Sequence, residues 1–166
     1  MHYKRVLARF LIFAFIGLLF EVFFGALGDL RSGDWQHFRG STSPYMMIDY
    51  GLLGVFLMPI ATPLIRRRIP LVLRAAVYML GIFFVEYVSG ILFHYVLHLH
   101  IWDYHSINYR GIPLHLHGQI ALPFAIPWYL IGLFAEFMYK WVDACALLLV
   151  NGVTAERLET YLTAKE

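Results

Sequence analysis

The fold is decided by two long apolar stretches, RFLIFAFIGLLFEVFFG at residues 9–25 and RAAVYMLGIFFVEYVSG at residues 74–90. In each stretch the first arginine is followed twelve residues later by a glutamate, Glu21 or Glu86. At about 1.5 Å of helix rise per residue, each carboxyl lies roughly 18 Å along the helix from its arginine. The hydrocarbon core of a bilayer is about 30 Å thick, so both glutamates are predicted near its midplane. An ionisable side chain at that depth indicates a functional site.

The composition of the chain predicts an integral membrane protein. Hydrophobic residues make up 60% of the 166 residues and charged residues only 14%, which is far from the composition of a soluble domain. Four apolar runs predict four transmembrane helices, at about residues 10–27, 45–65, 71–97 and 120–141. The segments of about ten alternating residues that form membrane β-barrels are absent from the sequence. The expected fold class is therefore an all-α membrane protein.

The distribution of Lys and Arg predicts the orientation of the chain. Seven of the 13 precede the first run or lie between the second run and the first turn of the third: Lys4, Arg5, Arg9, Arg66, Arg67, Arg68 and Arg74. The positive-inside rule places such residues in the cytoplasm. The connections expected outside carry Arg31, Arg39 and Arg110. We therefore expect a multi-pass protein of the plasma (inner) membrane with both termini cytoplasmic. The net charge of +2 is explained by this topology, and no nucleic-acid partner is expected.

The four predicted helices read as two tandem two-helix repeats, at about residues 9–65 and 71–141. Besides the shared spacing of arginine and glutamate, IDYGLLG at residues 48–54 can be aligned with IPWYLIG at residues 126–132. Two spans per repeat give both repeats the same orientation, so their pseudo-twofold axis should follow the membrane normal. The membrane domain is expected to cover residues 1–142. A cytoplasmic tail with a short amphipathic helix, AERLETYL, is expected at residues 143–166.

Small residues beside the two glutamates predict that the carboxyls face protein. Gly17 and Glu21 share a helix face, and Ser89 follows Glu86 by one turn. The two carboxyls, with Asp49 at the start of the second run, are candidates to bind a cation, a proton or a polar substrate group. The alternative is that each glutamate is protonated and only fixes helix packing.

A histidine-rich segment raises the second hypothesis. His94 and His98 are four apart at the end of the third run and so share a helix face, and His115 and His117 alternate onto one side if the loop that follows is extended. Together with Asp103 or His105 they could hold a transition metal such as zinc or iron. The alternative is an interfacial loop of amphipathic side chains without metal. Whether the chain is an enzyme stays open on this evidence.

Several segments carry a family resemblance between residues 9 and 141. In chain order, the segments are GLLFEVFFG, GSTSPYMMIDYGLLG, RRIPLVLRAAVYMLGIFFVEYVSG, IWDY and GQIALPFAIPW. They resemble the family called putative ABC-transporter type IV, which is similar to the transmembrane protein 229 group. The resemblance implies a permease-like role without a defined substrate. It also implies functional weight at its motif positions: Glu21, Tyr50, Gly51, Glu86, Gly90, Trp102, Asp103, Tyr104, Gly118 and Trp128.

Three functional hypotheses follow. The first is a permease-like or transport-associated protein with a polar site around the two glutamates. The second is a membrane-embedded, metal-dependent enzyme that acts on lipid and uses the histidines. The third is an accessory or assembly subunit of a membrane complex. The expected partners are the bilayer, further copies or other membrane subunits, and a separate ATPase, because the sequence contains no glycine-rich phosphate loop.

Overall fold

The computed structural model describes residues 2–33 and 36–164. Four long helices form most of it: α1 (His2–Ser32), α2 (Met46–Arg66), α3 (Leu71–Ile91) and α4 (Ala125–Val150). One π-helical turn, Leu92–Val96, extends α3, and a short helix, α5 (Ala155–Thr163), follows α4. Residues 143–150, expected in the tail, continue α4, and residues 165–166 of that tail lie outside the described part.

Three helical segments are long and apolar enough to cross a membrane: His2–Leu27, Met46–Arg66 and Leu71–Val96. Helix α4 is 26 residues long but is not among these three. Its middle turns carry Glu136, Lys140 and Asp143, whose charges lower its mean hydropathy. The fold class is thus an all-α membrane protein, as expected. Three of the four expected spans are candidates by length and composition, and the fourth span is not established by them.

The connection between α3 and α4 contains two small antiparallel hairpins. Strands β1 (Asn108–Tyr109) and β2 (Ile112–Pro113) form the first hairpin, and β3 (His115–Leu116) and β4 (Ile120–Ala121) form the second. The first hairpin turns through Arg110 and Gly111, which both have positive φ (52° and 83°). Such angles suit a two-residue turn that matches the twist of the strands. The two hairpins give this connection a defined shape that places side chains against α3.

Helix packing divides the bundle into two pairs. Helix α1 packs most extensively against α2, and α3 against α4. A Cβ added at Gly54 would lie 2.7 Å from the backbone carbonyl of Arg9 on α1, and one at Gly132 would lie 2.7 Å from the carbonyl oxygen of Ala75 on α3. Glycine at both positions permits this close approach of the backbones, as is common in membrane helix pairs.

Ion pairs at one end of the bundle hold the helix pairs together. Arg74 donates from Nε and Nη2 to the two carboxylate oxygens of Glu136, at 2.6 and 2.8 Å. Asp143 accepts from Arg5 Nε at 2.8 Å and from Arg9 Nη1 at 3.0 Å. Asp143 lies just beyond the expected end of the membrane domain at residue 142, and these bonds connect it to the first turns of α1.

Candidate functional site

Glu21 on α1 accepts two hydrogen bonds from the first half of the chain. Thr42 Oγ1, in the segment before α2, donates to Glu21 Oε2 at 2.7 Å, and the Tyr50 hydroxyl on α2 donates to the same oxygen at 2.8 Å. The Tyr50 ring lies against Gly17, where an added Cβ would be 2.1 Å from it. Gly17, one helical turn before Glu21, therefore leaves space for the ring of Tyr50, whose hydroxyl donates to Glu21.

Glu86 on α3 accepts two hydrogen bonds from the second half. The Tyr104 hydroxyl donates to Oε1 at 3.0 Å, and the Trp128 indole N–H donates to Oε2 at 3.1 Å. The Phe124 ring lies 4.9 Å from the Tyr104 ring and 6.2 Å from the Trp128 ring, measured between centroids. Glu86 is only 6% exposed. Aromatic side chains thus surround this carboxyl and exclude solvent from it.

Asp49 on α2 supplies a third carboxyl. Its Oδ2 accepts from Ser89 Oγ on α3 at 3.0 Å, while its Oδ1 is buried and has no hydrogen-bond partner in the described part of the chain. Asp49 directly precedes Tyr50, which donates to Glu21. The Ser89 partner of Asp49 follows Glu86 by three residues on α3, so the three carboxyls lie in neighbouring turns of packed helices. We call Glu21, Asp49 and Glu86 the acid cluster.

The donors described for the acid cluster are uncharged. Its hydrogen bonds in the described part of the chain come from hydroxyl groups and one indole, and Arg5, Arg9 and Arg74 pair with Asp143 and Glu136 instead. A carboxylate buried without a cationic partner is costly. The arrangement can therefore hold a proton or a small cation, which would offset that cost.

The connection between α3 and α4 brings Tyr104 to the site. The Tyr104 N–H donates to the Gly118 carbonyl at 2.9 Å, and the Trp102 indole donates to the Gln119 carbonyl at 2.9 Å. Gln119 is 2% exposed and fills the space left by Gly90, where an added Cβ would be 2.3 Å from its side-chain oxygen. Burial raises the pKa of Tyr104, so the hydroxyl stays protonated and keeps its role as a donor.

Trp102 and Asp103, both expected in the site, make other contacts. The Trp102 ring packs edge-on against Phe93, with centroids 6.0 Å apart. Asp103 is exposed and accepts hydrogen bonds from the His105 backbone N–H at 2.8 Å and from its ring nitrogen at 2.5 Å. The two hydrogen bonds lower the pKa of Asp103 below its usual range, and the bond from the His105 backbone has the larger effect. Both residues shape the connecting segment.

The four histidines proposed as metal ligands make separate contacts. His94 lies against His100, whereas His98 is exposed and has a φ of 55°. His115 Nδ1 accepts from the Gly118 N–H, and His117 Nδ1 is bonded to the Tyr87 hydroxyl at 2.8 Å. Within residues 2–33 and 36–164, no three His, Cys, Asp or Glu residues form a group that could hold a metal.

Of the predicted site residues, Glu21, Asp49, Tyr50, Glu86, Tyr104 and Trp128 meet around the acid cluster. Two members of the network, Thr42 and Phe124, were not among the predicted site residues, although both lie in segments that carry the family resemblance, and Ser89 was predicted only as a small neighbour of Glu86. Thr42 lies in a segment without helical period, and no spacing signal identifies its partner.

Comparison with known proteins places the chain in a family. The family model described as "Putative ABC-transporter type IV" matches residues 8–162. The chain belongs to this family. Membership and the apolar helices together identify a membrane protein associated with transport. The match includes every member of the acid cluster and every donor described for it. No solved structure matches the chain.

Proposed function

We propose that this protein is a four-span, permease-like membrane protein whose acid cluster binds a proton or a small monovalent cation. The observation that carries the proposal is the convergence of Glu21, Asp49 and Glu86 from three different helices, with uncharged donors around them. Like charges in a water-poor site disfavour simultaneous ionisation, so the cluster takes up positive charge as a proton or cation.

Equivalent contacts in the two halves support an internal repeat around the cluster. Tyr50 donates to Glu21 and Trp128 donates to Glu86, and these two donors occupy matching positions in the aligned IDYGLLG and IPWYLIG segments. The glycines that end the segments approach the backbones of Arg9 on α1 and Ala75 on α3, which differ by one residue in the alignment of Arg9 with Arg74. Parallel transporter repeats place ion and substrate sites at such an interface.

Helix α4 is the fourth span in this proposal. Its 26 residues give a length of roughly 39 Å, enough to cross the hydrocarbon core. Two of its charged side chains, Glu136 and Asp143, are paired with arginines of α3 and α1, which reduces the cost of placing them near a bilayer. Both termini then lie on one side of the membrane, and the arginine-rich turn makes that side cytoplasmic.

Four helices offer few surfaces for a complete transport path, so the proposal includes assembly with further copies or with other membrane subunits and a separate ATPase. The metal-dependent enzyme is not proposed, since the histidine positions give it no assembled site in the described residues. The accessory-subunit hypothesis retains support, because each glutamate is hydrogen-bonded to neighbouring elements in a way that also serves packing.

Infrared spectroscopy of the reconstituted protein tests the proposal through the stretching band of protonated carboxyl groups. We expect a protonated carboxyl at neutral pH that Asp49→Asn or Glu86→Gln removes. Addition of Na⁺ or K⁺ should reduce the band if the cation replaces the proton. Glu156→Gln, an exposed carboxyl on α5, is the matched control and should leave the band unchanged.

If the band is the same in all variants and insensitive to cations, the cluster does not exchange positive charge. If, in addition, Glu21→Gln and Glu86→Gln retain normal stability and the protein co-purifies with a stable partner, the accessory role replaces the proposal.

A further inference from the structure

A cavity of about 540 Å³ opens between α1, α2 and α4, apart from the acid cluster. Its walls include Val6 on α1 and Val55, Met58 and Pro59 on α2. Arg9 and the Thr62 hydroxyl add polar groups to the same lining. The volume falls within the range of 300–1,000 Å³ that is usual for small-molecule sites, and the combination of apolar walls with a few polar groups is typical of them.

The charge beside this cavity is not balanced by the contacts described there. Arg5 and Arg9 both bind the single carboxylate of Asp143, so two guanidinium groups share one negative charge. The side chain of Arg9 is only 12% exposed, and its Nε is buried without a hydrogen-bond partner in the described part of the chain. Its guanidinium lies 5.2 Å from the centre of the Tyr139 ring. A buried donor without a partner costs free energy that an anionic acceptor would recover.

We propose that this cavity is a binding site for one anionic phospholipid, whose acyl chain lies along the apolar walls and whose phosphate lies beside Arg9. A soluble anion would balance the charge but leave the apolar walls exposed. A zwitterionic lipid would cover the walls but add no net negative charge. An anionic lipid meets both requirements, because its phosphate oxygens bind guanidinium groups with charge-assisted hydrogen bonds and its headgroup has no positive charge to repel them. The inference is independent of the proposed function of the acid cluster.

Native mass spectrometry and thermal unfolding of the whole protein in a neutral detergent test this site. Three probes are compared: dioleoyl phosphatidylglycerol, dioleoyl phosphatidylcholine and glycerol 3-phosphate. We expect phosphatidylglycerol to bind at least about tenfold more tightly than phosphatidylcholine. Both lipids carry the phosphate, but the cationic choline of phosphatidylcholine would lie near the arginines, and about 1.4 kcal/mol of repulsion between like charges accounts for that factor. It should also raise the unfolding temperature. Glycerol 3-phosphate should not bind at the same concentrations.

Variants locate the site. Val55→Phe reduces the cavity volume and retains Arg9. It should weaken phosphatidylglycerol binding at least about tenfold, to the level of phosphatidylcholine. Val77→Phe makes the same change at a 39% exposed valine on α3, outside the cavity, and should bind lipid like the unchanged protein. If Val55→Phe does not fold, Val6→Phe narrows the same cavity from α1.

Three results would overturn the proposal. Equal affinity for the two lipids would show a groove for acyl chains without anion recognition. Binding of glycerol 3-phosphate as tight as that of phosphatidylglycerol would show a soluble-anion site. Unchanged phosphatidylglycerol binding in the cavity-narrowing variants would place the lipid elsewhere.

Discussion

Replacing Gly132 by alanine tests the close contact between α3 and α4. The new Cβ would lie 2.7 Å from the carbonyl oxygen of Ala75, whereas ordinary contacts begin at 3.4 Å, so the helices must separate locally by about 0.7 Å. Overpacking of this kind costs about 1–3 kcal/mol. Alanine also favours the helix over glycine by about 1 kcal/mol, which offsets part of that cost.

Gly81 on α3 supplies the matched control for this prediction. An added Cβ there meets no atom within 4 Å, so Gly81→Ala gains the helix propensity without a clash. The free energy of unfolding of Gly132→Ala should therefore be about 1–3 kcal/mol below that of Gly81→Ala. Equilibrium unfolding in mixed micelles with increasing dodecyl sulfate, followed by tryptophan fluorescence, measures this difference.

Equal unfolding free energies for the two variants would refute the backbone contact described between α3 and α4. Gly54→Ala extends the test to the first helix pair, because its Cβ would lie 2.7 Å from the backbone carbonyl of Arg9. A loss similar to that of Gly132→Ala would support equivalent packing in the two halves.

Two further predictions concern charged side chains. Arg74→Gln or Glu136→Gln should each lower the free energy of unfolding by about 3 kcal/mol, because the remaining side chain, about 15% exposed, is left without its oppositely charged partner. The double variant should lose less than the sum of the two losses. Additive losses in this double-mutant cycle would contradict the ion pair. The lowered pKa of Asp103 means that its stabilising contribution is present above the usual carboxyl pKa of 3.8 and is lost as pH falls through the lower value. Carbon NMR titration should show this lowered pKa, and His105→Ala should raise it only part of the way because the backbone hydrogen bond remains; a pKa unchanged by that substitution would contradict the side-chain contact.

The helices and the positions of the two glutamates along them were predictable, because they depend on local patterns. Apolar runs of fixed length and the repeated spacing of arginine and glutamate lie within single segments, where helix geometry converts spacing into position. Asp49 could be proposed on the same ground, as a charge within an apolar run. The partners of these acids could not all be found this way. Thr42 reaches Glu21 from an irregular segment, and a helical period does not describe such a contact.

The histidines show where a spacing argument fails. His94 and His98 were expected on one α-helical face, but the helix widens to a π-helical turn that ends at Val96, and His98, beyond that turn, has a left-handed φ of 55°. His117 also has a positive φ, 51°, so it does not continue the extended strand of His115. Each of these backbone changes redirects a side chain, and the sequence spacing does not reveal either one.

A carboxylate that binds a ligand differs from one that only stabilises helix packing, because it has an oxygen atom without a hydrogen-bond partner. Glu21 and Glu86 accept hydrogen bonds that would serve packing equally well, so these bonds alone do not favour a ligand. Asp49 differs, because one of its oxygens is buried without a partner in the described part of the chain. Buried acceptors are normally satisfied, and an unsatisfied one beside two other carboxyls has the highest demand for positive charge. Asp49→Asn therefore separates ligand binding from packing better than either glutamate variant, since it removes the negative charge of a carboxylate whose Oδ1 makes no described hydrogen bond.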